Sequence, residues 1–289
     1  MNVYPFIEAE QAEGRNVKRS CELLEVSRSA FYQRATPSLR ETQDAELTAL
    51  IVEIHEESRQ TYGAPRVHAD LRDRGIHVGK KRVARLMVQA NLAGRCRRSW
   101  HKTTLRDPEA KPTTIDHIKR DFAVGDIDRR WCGDITYVPT FEGWLYLATV
   151  IDLGSRRVIG WAVADHLRTE LVADALVMAH NTRKPTNTVV FHSDRGCQYT
   201  STEFTRLAER LNVTLSLGRK GECWDNAVAE SFFATLKGEL IDRYYWPAKT
   251  SAKTAIFEFI ESWYNLRRRH STLDYLSPAE YEARLRQAA

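Results

Sequence analysis

The first hundred residues carry hydrophobic positions at helical spacing. Residues 16–34 predict a helix, a turn and a second helix, and residues 41–58 predict one longer amphipathic helix. A further helix pair is predicted over residues 65–91, where Gly75–Gly79 interrupts the pattern. The N-terminal part of the chain is therefore predicted to be all-helical.

The pattern changes from about residue 115, where short runs of β-branched and aromatic residues replace the helical spacing. The runs that predict strands are 131–138, 144–152, 157–164, 188–192 and 213–217. The first three follow one another through hairpin turns, whereas the later two alternate with helices. This order predicts an α/β fold of the ribonuclease-H-like type, with a mixed sheet and helices on its faces. Helices at about 224–240 and 251–269 follow the last strand.

These changes of pattern predict five segments along the chain. They are an N-terminal helical region with a helix-turn-helix candidate (1–58), a basic helix-turn-helix unit (59–94), a basic linker (95–114), the mixed-sheet core (115–245) and a helical tail (246–289). The longest apolar run, Trp144–Leu153, is about half the length of a membrane span. No signal peptide precedes the helices, so we expect a cytoplasmic protein without a membrane partner.

The formal net charge of +5 is unevenly distributed. Between Arg59 and Arg106 there are 13 Lys and Arg residues against only Asp70 and Asp73, whereas residues 111–245 are nearly neutral. A basic arm on a near-neutral body is typical of nucleic-acid binding, although a solvated basic face has the same composition. The candidate DNA contacts are Lys80, Lys81, Arg82 and Arg85 at the start of the last helix of the basic unit, with Arg97 and Arg98 in the linker.

Five cysteines are scattered along the chain and none forms a C-x-x-C pair. This distribution excludes a disulfide framework and a zinc knuckle as the basis of the fold.

Three acidic residues stand where an isolated carboxylate is costly. Asp134 lies in the first predicted strand, Asp194 directly follows the fourth, and Glu230 lies in the helix at 224–240. If the two strands are neighbours, the three carboxylates can converge into a divalent-metal site for phosphodiester chemistry. Each acid alone also has an ordinary structural explanation. The rival acids are Asp126, Asp152 and Asp225.

Glu230 shares a helix face with Lys237, seven residues later, while Phe233 and Leu236 are predicted to face the sheet. This spacing places a phosphate-binding ammonium beside a metal-binding carboxylate.

Several longer motifs occur in order along the chain. They are Thr61–Val67 (TYGAPRV), Trp131–Val138 (WCGDITYV), Gly143–Leu153 (GWLYLATVIDL), Ser155–Trp161 (SRRVIGW), Phe191–Tyr199 (FHSDRGCQY), Asp225–Leu240 (DNAVAESFFATLKGEL) and, in the tail, Tyr264-Asn265, Arg269-His270 and Leu276–Pro278. With these motifs the chain resembles the integrase-type DDE transposases, in particular the second-frame (OrfB) products of bacterial insertion sequences. The resemblance covers nearly the whole chain.

The resemblance implies that Asp134, Asp194 and Glu230 are the metal-binding catalytic triad and that Lys237 contacts donor DNA. It implies two Mg²⁺ ions per site, or Mn²⁺ in their place. Cleavage would expose 3′-hydroxyls at the element ends, and strand transfer would follow by transesterification at the same site, without a covalent protein intermediate. His192 and Asn226 would hold the metal ligands in position without binding the metal themselves.

The resemblance also implies partners. These are double-stranded DNA at the terminal inverted repeats and at the target, further copies of this chain assembled on that DNA, and an upstream-frame (OrfA) product or fusion. Two alternatives stay open at this point: a nuclease of the same fold that cuts without joining, and a DNA-binding protein without catalytic activity.

Overall fold

The computed structural model of the protein describes residues 3–35, 38–95, 125–217 and 227–288. The chain divides into two units, Met1–Gly94 and Arg95–Ala289. The predicted linker contacts Arg97 and Arg98, and the segment before Glu230 that contains Asp225 and Asn226, lie outside the described residues.

The first unit is helical, as the spacing predicts. Its helices are α1 (Tyr4–Ala12), α2 (Val17–Leu23), α3 (Arg28–Ala35), α4 (Leu39–Glu57), α5 (Ala64–Asp73) and α6 (Lys80–Gln89). Both predicted helix pairs are confirmed as α2–α3 and α5–α6. α1 was not predicted, and it places Ile7 in a small core with Val17, Cys21 and Phe31.

α4 begins at a capping box, in which Ser38 and Glu41 satisfy each other's backbone N–H groups. Its buried face, with Leu47, Ile51 and Ile54, packs against α5 and α6. The three helices therefore pack against one another around a shared apolar core.

The second unit contains a five-stranded mixed sheet. Its strands are β1 (Arg130–Thr140), β2 (Gly143–Asp152), β3 (Val158–Ala164), β4 (Val189–Ser193) and β5 (Val213–Leu217). They lie in the order β3-β2-β1-β4-β5. β1, β2 and β3 are antiparallel, whereas β4 runs parallel to both β1 and β5. The ribonuclease-H-like fold predicted from the sequence is confirmed.

Helices cover both faces of this sheet. They are α7 (Thr169–Arg183), α8 (Thr202–Arg210), α9 (Ala227–Glu239), α10 (Lys249–Glu258) and α11 (Pro278–Ala288). α7 and α8 bury the face that carries Trp131 and Phe191. α9 packs on the opposite face, where its backbone at Ala229 contacts the Cys132 thiol.

The helix predicted at about 251–269 is present, but it is not α-helical throughout and it ends before Arg269. α10 passes into a wider π turn at Phe259–Tyr264, in which the Asn265 N–H donates to the Ile260 carbonyl. Helical spacing in the sequence cannot distinguish this register from an α-helix. Within the described ranges, no helix has the length and apolarity needed to cross a membrane.

Candidate active site

The pairing of β1 with β4 brings two of the predicted acids together. The parallel register joins Trp131 to Phe191 and Cys132 to His192. The last of these pairs lies two residues before Asp134 and Asp194, and Asp194 directly follows the end of β4. Neighbouring strands lie about 4.8 Å apart, so the two aspartates lie close together just beyond the end of the β1–β4 pairing, near the middle of the sheet.

Alternation along the strands directs both aspartates to the face that α9 covers. Trp131 and Phe191 point into the core under α7 and α8, so Cys132 and Asp134 point the other way. Gly133 lies between them, and a Cβ at Gly133 would come 2.2 Å from the ring of Phe191. A glycine is therefore required where β1 passes over that ring.

The environment of Asp134 disfavours its charge. Burial, together with the nearby charges of Asp194 and Glu230, raises the pKa of the Asp134 carboxyl to about 7. A hydrogen bond from the Ile135 N–H (2.8 Å) and the Lys237 ammonium act in the opposite direction. The three acids thus interact electrostatically, as expected of carboxylates that share a cation.

Asp194 and Glu230 are both exposed at the rim of this site. Asp194 accepts a hydrogen bond of 3.0 Å from the Gly196 N–H, which fixes the turn after β4. Glu230 lies in the first turn of α9, where the helix dipole favours a negative charge. As predicted, Phe233 and Leu236 of α9 are buried.

Lys237 lies between the acids and a tyrosine that sequence reasoning did not identify. Its Nζ is 5.1 Å from the centre of the Tyr137 ring. Tyr137 stands on the same strand as Asp134, and only its position in the motif WCGDITYV could have drawn attention to it.

Thr149 is a second neighbour that the sequence did not reveal. It is paired with Asp134 across β1 and β2, and its side chain therefore lies on the same face. The Thr149 hydroxyl is buried and has no hydrogen-bond partner among the residues that the structure describes. His192, the predicted supporting residue, is also buried on this face and pairs with Ser216 at 3.0 Å.

A buried ion pair fixes the far end of α9. The Glu239 carboxylate accepts hydrogen bonds from the Arg268 guanidinium at 2.7 to 3.0 Å, and both side chains are almost fully buried. Breaking such a pair leaves an uncompensated buried charge. The tail therefore sets the position of the helix that carries Glu230.

The rival acid Asp152 has a structural role. It is fully buried, and its carboxylate accepts from the N–H groups of Asp128 (2.7 Å) and Ser155 (2.8 Å). These bonds hold the turn between β2 and β3. The second rival acid, Asp126, is exposed shortly before β1 begins.

In the parts of the chain that the structure describes, no three His, Cys, Asp or Glu side chains form a group that could hold a metal ion as they stand. The charges of Asp194 and Glu230 nevertheless act on the Asp134 carboxyl.

The basic candidates of the first unit fall into two groups. Lys80 and Lys81 are exposed at the start of α6. Arg82 and Arg85 instead share the Asp44 carboxylate of α4, each at 2.7 Å, and their hydrogen bonds lower the pKa of Asp44. Counting charges along the sequence could not reveal this pairing.

The chain matches known protein families over both units. The family described as integrase core domain matches residues 127–223, and a second integrase core domain family matches residues 211–278. An HTH-like domain matches residues 42–100.

Relatives match over nearly their whole length. Transposase InsF for insertion sequence IS3A of Escherichia coli (strain K12) is 38% identical over 283 residues, which cover 96% of this chain and 98% of the relative. An IS600 uncharacterized 31 kDa protein of Shigella sonnei is 36% identical over 271 residues, which cover 93% and 99%.

Solved structures with remote likeness include two catalytic domains. The HTLV-2 integrase catalytic core domain in complex with magnesium has 14% identity and a TM-score of 0.41, and the match covers 53% of this chain and 95% of that one. The Mos1 transposase catalytic domain with raltegravir and Mn has 16% identity and a TM-score of 0.40, over 46% and 70%.

The chain thus has a mixed sheet with acids beside the end of the β1–β4 pairing, and it matches two domain types. Together these features define a protein with an integrase core and an HTH-like domain. The chain belongs to the IS3 family of bacterial insertion-sequence transposases.

Proposed function

We propose that the chain cleaves the ends of its insertion sequence and joins them to target DNA at a metal-dependent DDE site. Asp134, Asp194 and Glu230 are the catalytic residues of this proposal. The single observation that supports it best is the β1–β4 pairing, whose last pair, Cys132 with His192, lies two residues before Asp134 and Asp194.

The donor set fits a divalent cation. Oxygen ligands are what Mg²⁺ and Mn²⁺ prefer, and three carboxylates suffice because Mg²⁺ keeps several waters. Burial raises the pKa of the Asp134 carboxyl, so a bound cation would stabilise its ionised form. Two bound Mg²⁺ ions would supply activation of the attacking oxygen and stabilisation of the leaving oxygen.

The protein groups bind and orient the DNA. The Lys237 ammonium lies beside the acids and is placed to bind a phosphate of the donor strand. In cleavage, a water oxygen forms the new bond to phosphorus as the bond to the 3′ oxygen breaks. In joining, that 3′-hydroxyl oxygen forms the new bond to a target phosphorus as the bond to the target's own 3′ oxygen breaks, which leaves a free 3′-hydroxyl on the target strand.

DNA-end binding is assigned to the segment 59–94. Lys80 and Lys81 lie at the N-terminal end of α6, the part of a recognition helix that reaches the major groove. Arg82 and Arg85 would contact DNA only if their ion pairs with Asp44 broke. The linker 95–114, with Arg97 and Arg98, the core 115–245 and the tail 246–289 complete the proposed domains. Transposition needs two ends held together, so we include further copies of the chain and an upstream-frame product as partners.

The substitution Asp194→Asn tests the site. It removes a charge without changing size, and we expect cleavage and joining to fall at least about 100-fold, a typical loss when a charge-stabilising group is removed. Both reactions would be measured with oligonucleotide duplexes carrying the inverted repeats beside the gene, in Mg²⁺ and in Mn²⁺. Duplex binding, measured by fluorescence anisotropy, should persist.

Asp174→Asn is the matched control, since Asp174 is exposed on α7, on the other face of the sheet. Full activity of Asp194→Asn would refute the site assignment. Cleavage by the unaltered protein without any joined product would instead identify a nuclease of the same fold.

A further inference from the structure

An exposed aromatic pair lies on the β1–β2 hairpin. The Tyr137 and Trp144 rings meet edge to face, with centroids 5.2 Å apart at 86°. Tyr137 is 56% exposed and Trp144 is 51% exposed, so neither ring belongs to the core. Phe141, at the turn between the two strands, is 77% exposed. This hairpin therefore leaves aromatic surface exposed to solvent, and exposed apolar patches are typical of binding sites.

The pair lies beside the acids because β1 is longer than its neighbour. β4 pairs with β1 only from Arg130 to Cys132, whereas β1 continues to Thr140. Tyr137 stands in this extension, three residues after Asp134. At about 3.3 Å per residue the separation is roughly 10 Å, or about three steps along a DNA strand at 3.4 Å each.

Lys237 connects the aromatic pair to the acids. Its Nζ lies over the Tyr137 ring at 5.1 Å, and its charge acts on the Asp134 carboxyl. Alternation directs the side chains of Asp134 and Tyr137 to opposite faces of β1, and the Lys237 ammonium acts on both where β4 no longer pairs with β1. Aromatic rings that alternate with cations bind single-stranded nucleic acid, since bases stack on the rings and phosphates pair with the cations.

We propose that Tyr137 and Trp144 form a stacking platform for unpaired DNA bases within about three nucleotides of the phosphodiester that the acids cut. This inference rests on the proposed function, because it places bases of the same strand. Unpairing the end of the duplex exposes the scissile phosphate, and the platform compensates the lost base stacking. The ligand is a short unpaired DNA end rather than a protein.

The test compares a blunt DNA duplex with one that carries about three unpaired nucleotides at its end, one of them 2-aminopurine. The full chain carries Asp194→Asn, so that no cleavage occurs during the measurement. Without substitutions on the platform, we expect the frayed duplex to bind about 10-fold more tightly than the blunt one, and the 2-aminopurine emission to change on binding. Tyr137→Ala and Trp144→Ala should abolish both effects.

Three controls separate stacking from folding. Tyr137→Phe and Trp144→Phe retain a ring and should keep the preference for the frayed duplex. Phe257→Ala removes an aromatic side chain that is also 51% exposed but packs near Trp161 on β3. It should bind like the parent. Thermal unfolding midpoints identify any variant that loses binding because it loses structure.

An equal preference in the alanine variants, or a loss shared by the phenylalanine variants, would overturn the platform. A lower molecular mass of the DNA-free Tyr137→Ala or Trp144→Ala variant than of the parent would overturn it too. The aromatic pair would then be a contact between protein chains. The result is distinguishable from failure of the proposed function, since binding needs no chemistry. If Asp194→Asn still cleaves DNA, the catalytic assignment fails while the binding comparison remains valid.

Discussion

The position of Asp134 depends on the residue before it. Gly133 passes over the Phe191 ring, and any side chain at that point would push β1 away from β4. Since that pairing ends two residues before Asp134 and Asp194, the absence of a methyl group at Gly133 controls the spacing of two proposed ligands.

We therefore expect Gly133→Ala to lower the free energy of unfolding by about 1–3 kcal/mol, the usual cost of overpacking. DNA cleavage should fall further than stability alone explains, because the register at Asp134 shifts. Urea denaturation and the oligonucleotide assay measure the two effects. Gly238→Ala is the control, since a Cβ there meets nothing within 4 Å. It should stabilise α9 by about 0.5–1 kcal/mol. Equal behaviour of the two variants would contradict this account.

At this scale the sequence predicts residue types better than it predicts neighbours. Asp134, Asp194 and Glu230 could be chosen from their motifs, and the fold brings them within electrostatic range. Tyr137 and Thr149 could not be chosen, because each owes its place to a partner far along the chain or across a hairpin. Arg82 and Arg85 were chosen from charge alone, which says nothing about Asp44.

The elements of the core were predicted well because each strand is rich in β-branched and aromatic residues and is bounded by turns or polar segments. All five strands occur close to their predicted ranges. The tail was predicted less well, since its shape depends on contacts with the sheet. The π turn at Phe259–Tyr264 brings Asn265 to the edge of β3. There the Asn265 side chain accepts from the Val158 N–H at 3.0 Å and donates to the Val158 carbonyl at 2.8 Å.

Asn265→Leu should thus be costly although it preserves volume. It leaves two buried backbone groups of Val158 without partners, at about 1–3 kcal/mol each. We expect a loss of about 3 kcal/mol in the free energy of unfolding, measured by urea denaturation. Asn181→Leu, at an exposed position of α7, should change stability by less than about 0.5 kcal/mol. An unchanged midpoint for Asn265→Leu would show that the tail does not hold the edge of β3.

Across the whole second unit, one carboxylate joins the tail to the sheet. Glu282 of α11 is 1% exposed and accepts hydrogen bonds from Ser155 (2.7 Å), Arg157 (2.9 Å) and both terminal nitrogens of Arg183. Burial opposes its ionisation, but the Arg183 hydrogen bonds and charge outweigh that effect and hold the pKa of Glu282 below its ordinary value.

A lowered pKa stabilises the fold above the unfolded-state pKa of 4.5, and this stabilisation is lost as pH falls through the folded-state pKa. Glu282→Gln should therefore cost about 3 kcal/mol at neutral pH, because Arg157 and Arg183 lose a buried carboxylate partner. The difference in stability between the variant and the unaltered protein should narrow as the pH falls below 4.5. Urea denaturation across this range measures both effects.

Burial raises the pKa of the nearby Asp152, but Asp152 is present in both Glu282→Gln and the unaltered protein. The difference in their free energies of unfolding therefore reports on Glu282. Glu258→Gln, at an exposed position of α10, should show neither the loss nor the pH dependence. A constant difference between Glu282→Gln and the unaltered protein at all pH values would contradict the assigned ionisation.

The bond between Ser155 and Glu282 spans 127 residues of chain. During synthesis the sheet strands leave the ribosome long before α11, so Arg183 can first pair with Asp128 and gains the Glu282 carboxylate only later. We expect the nascent core to remain loosely packed until translation reaches the tail. Competence to cut DNA would then begin only after α11 has been synthesised, which favours chains that contain the tail over fragments that lack it.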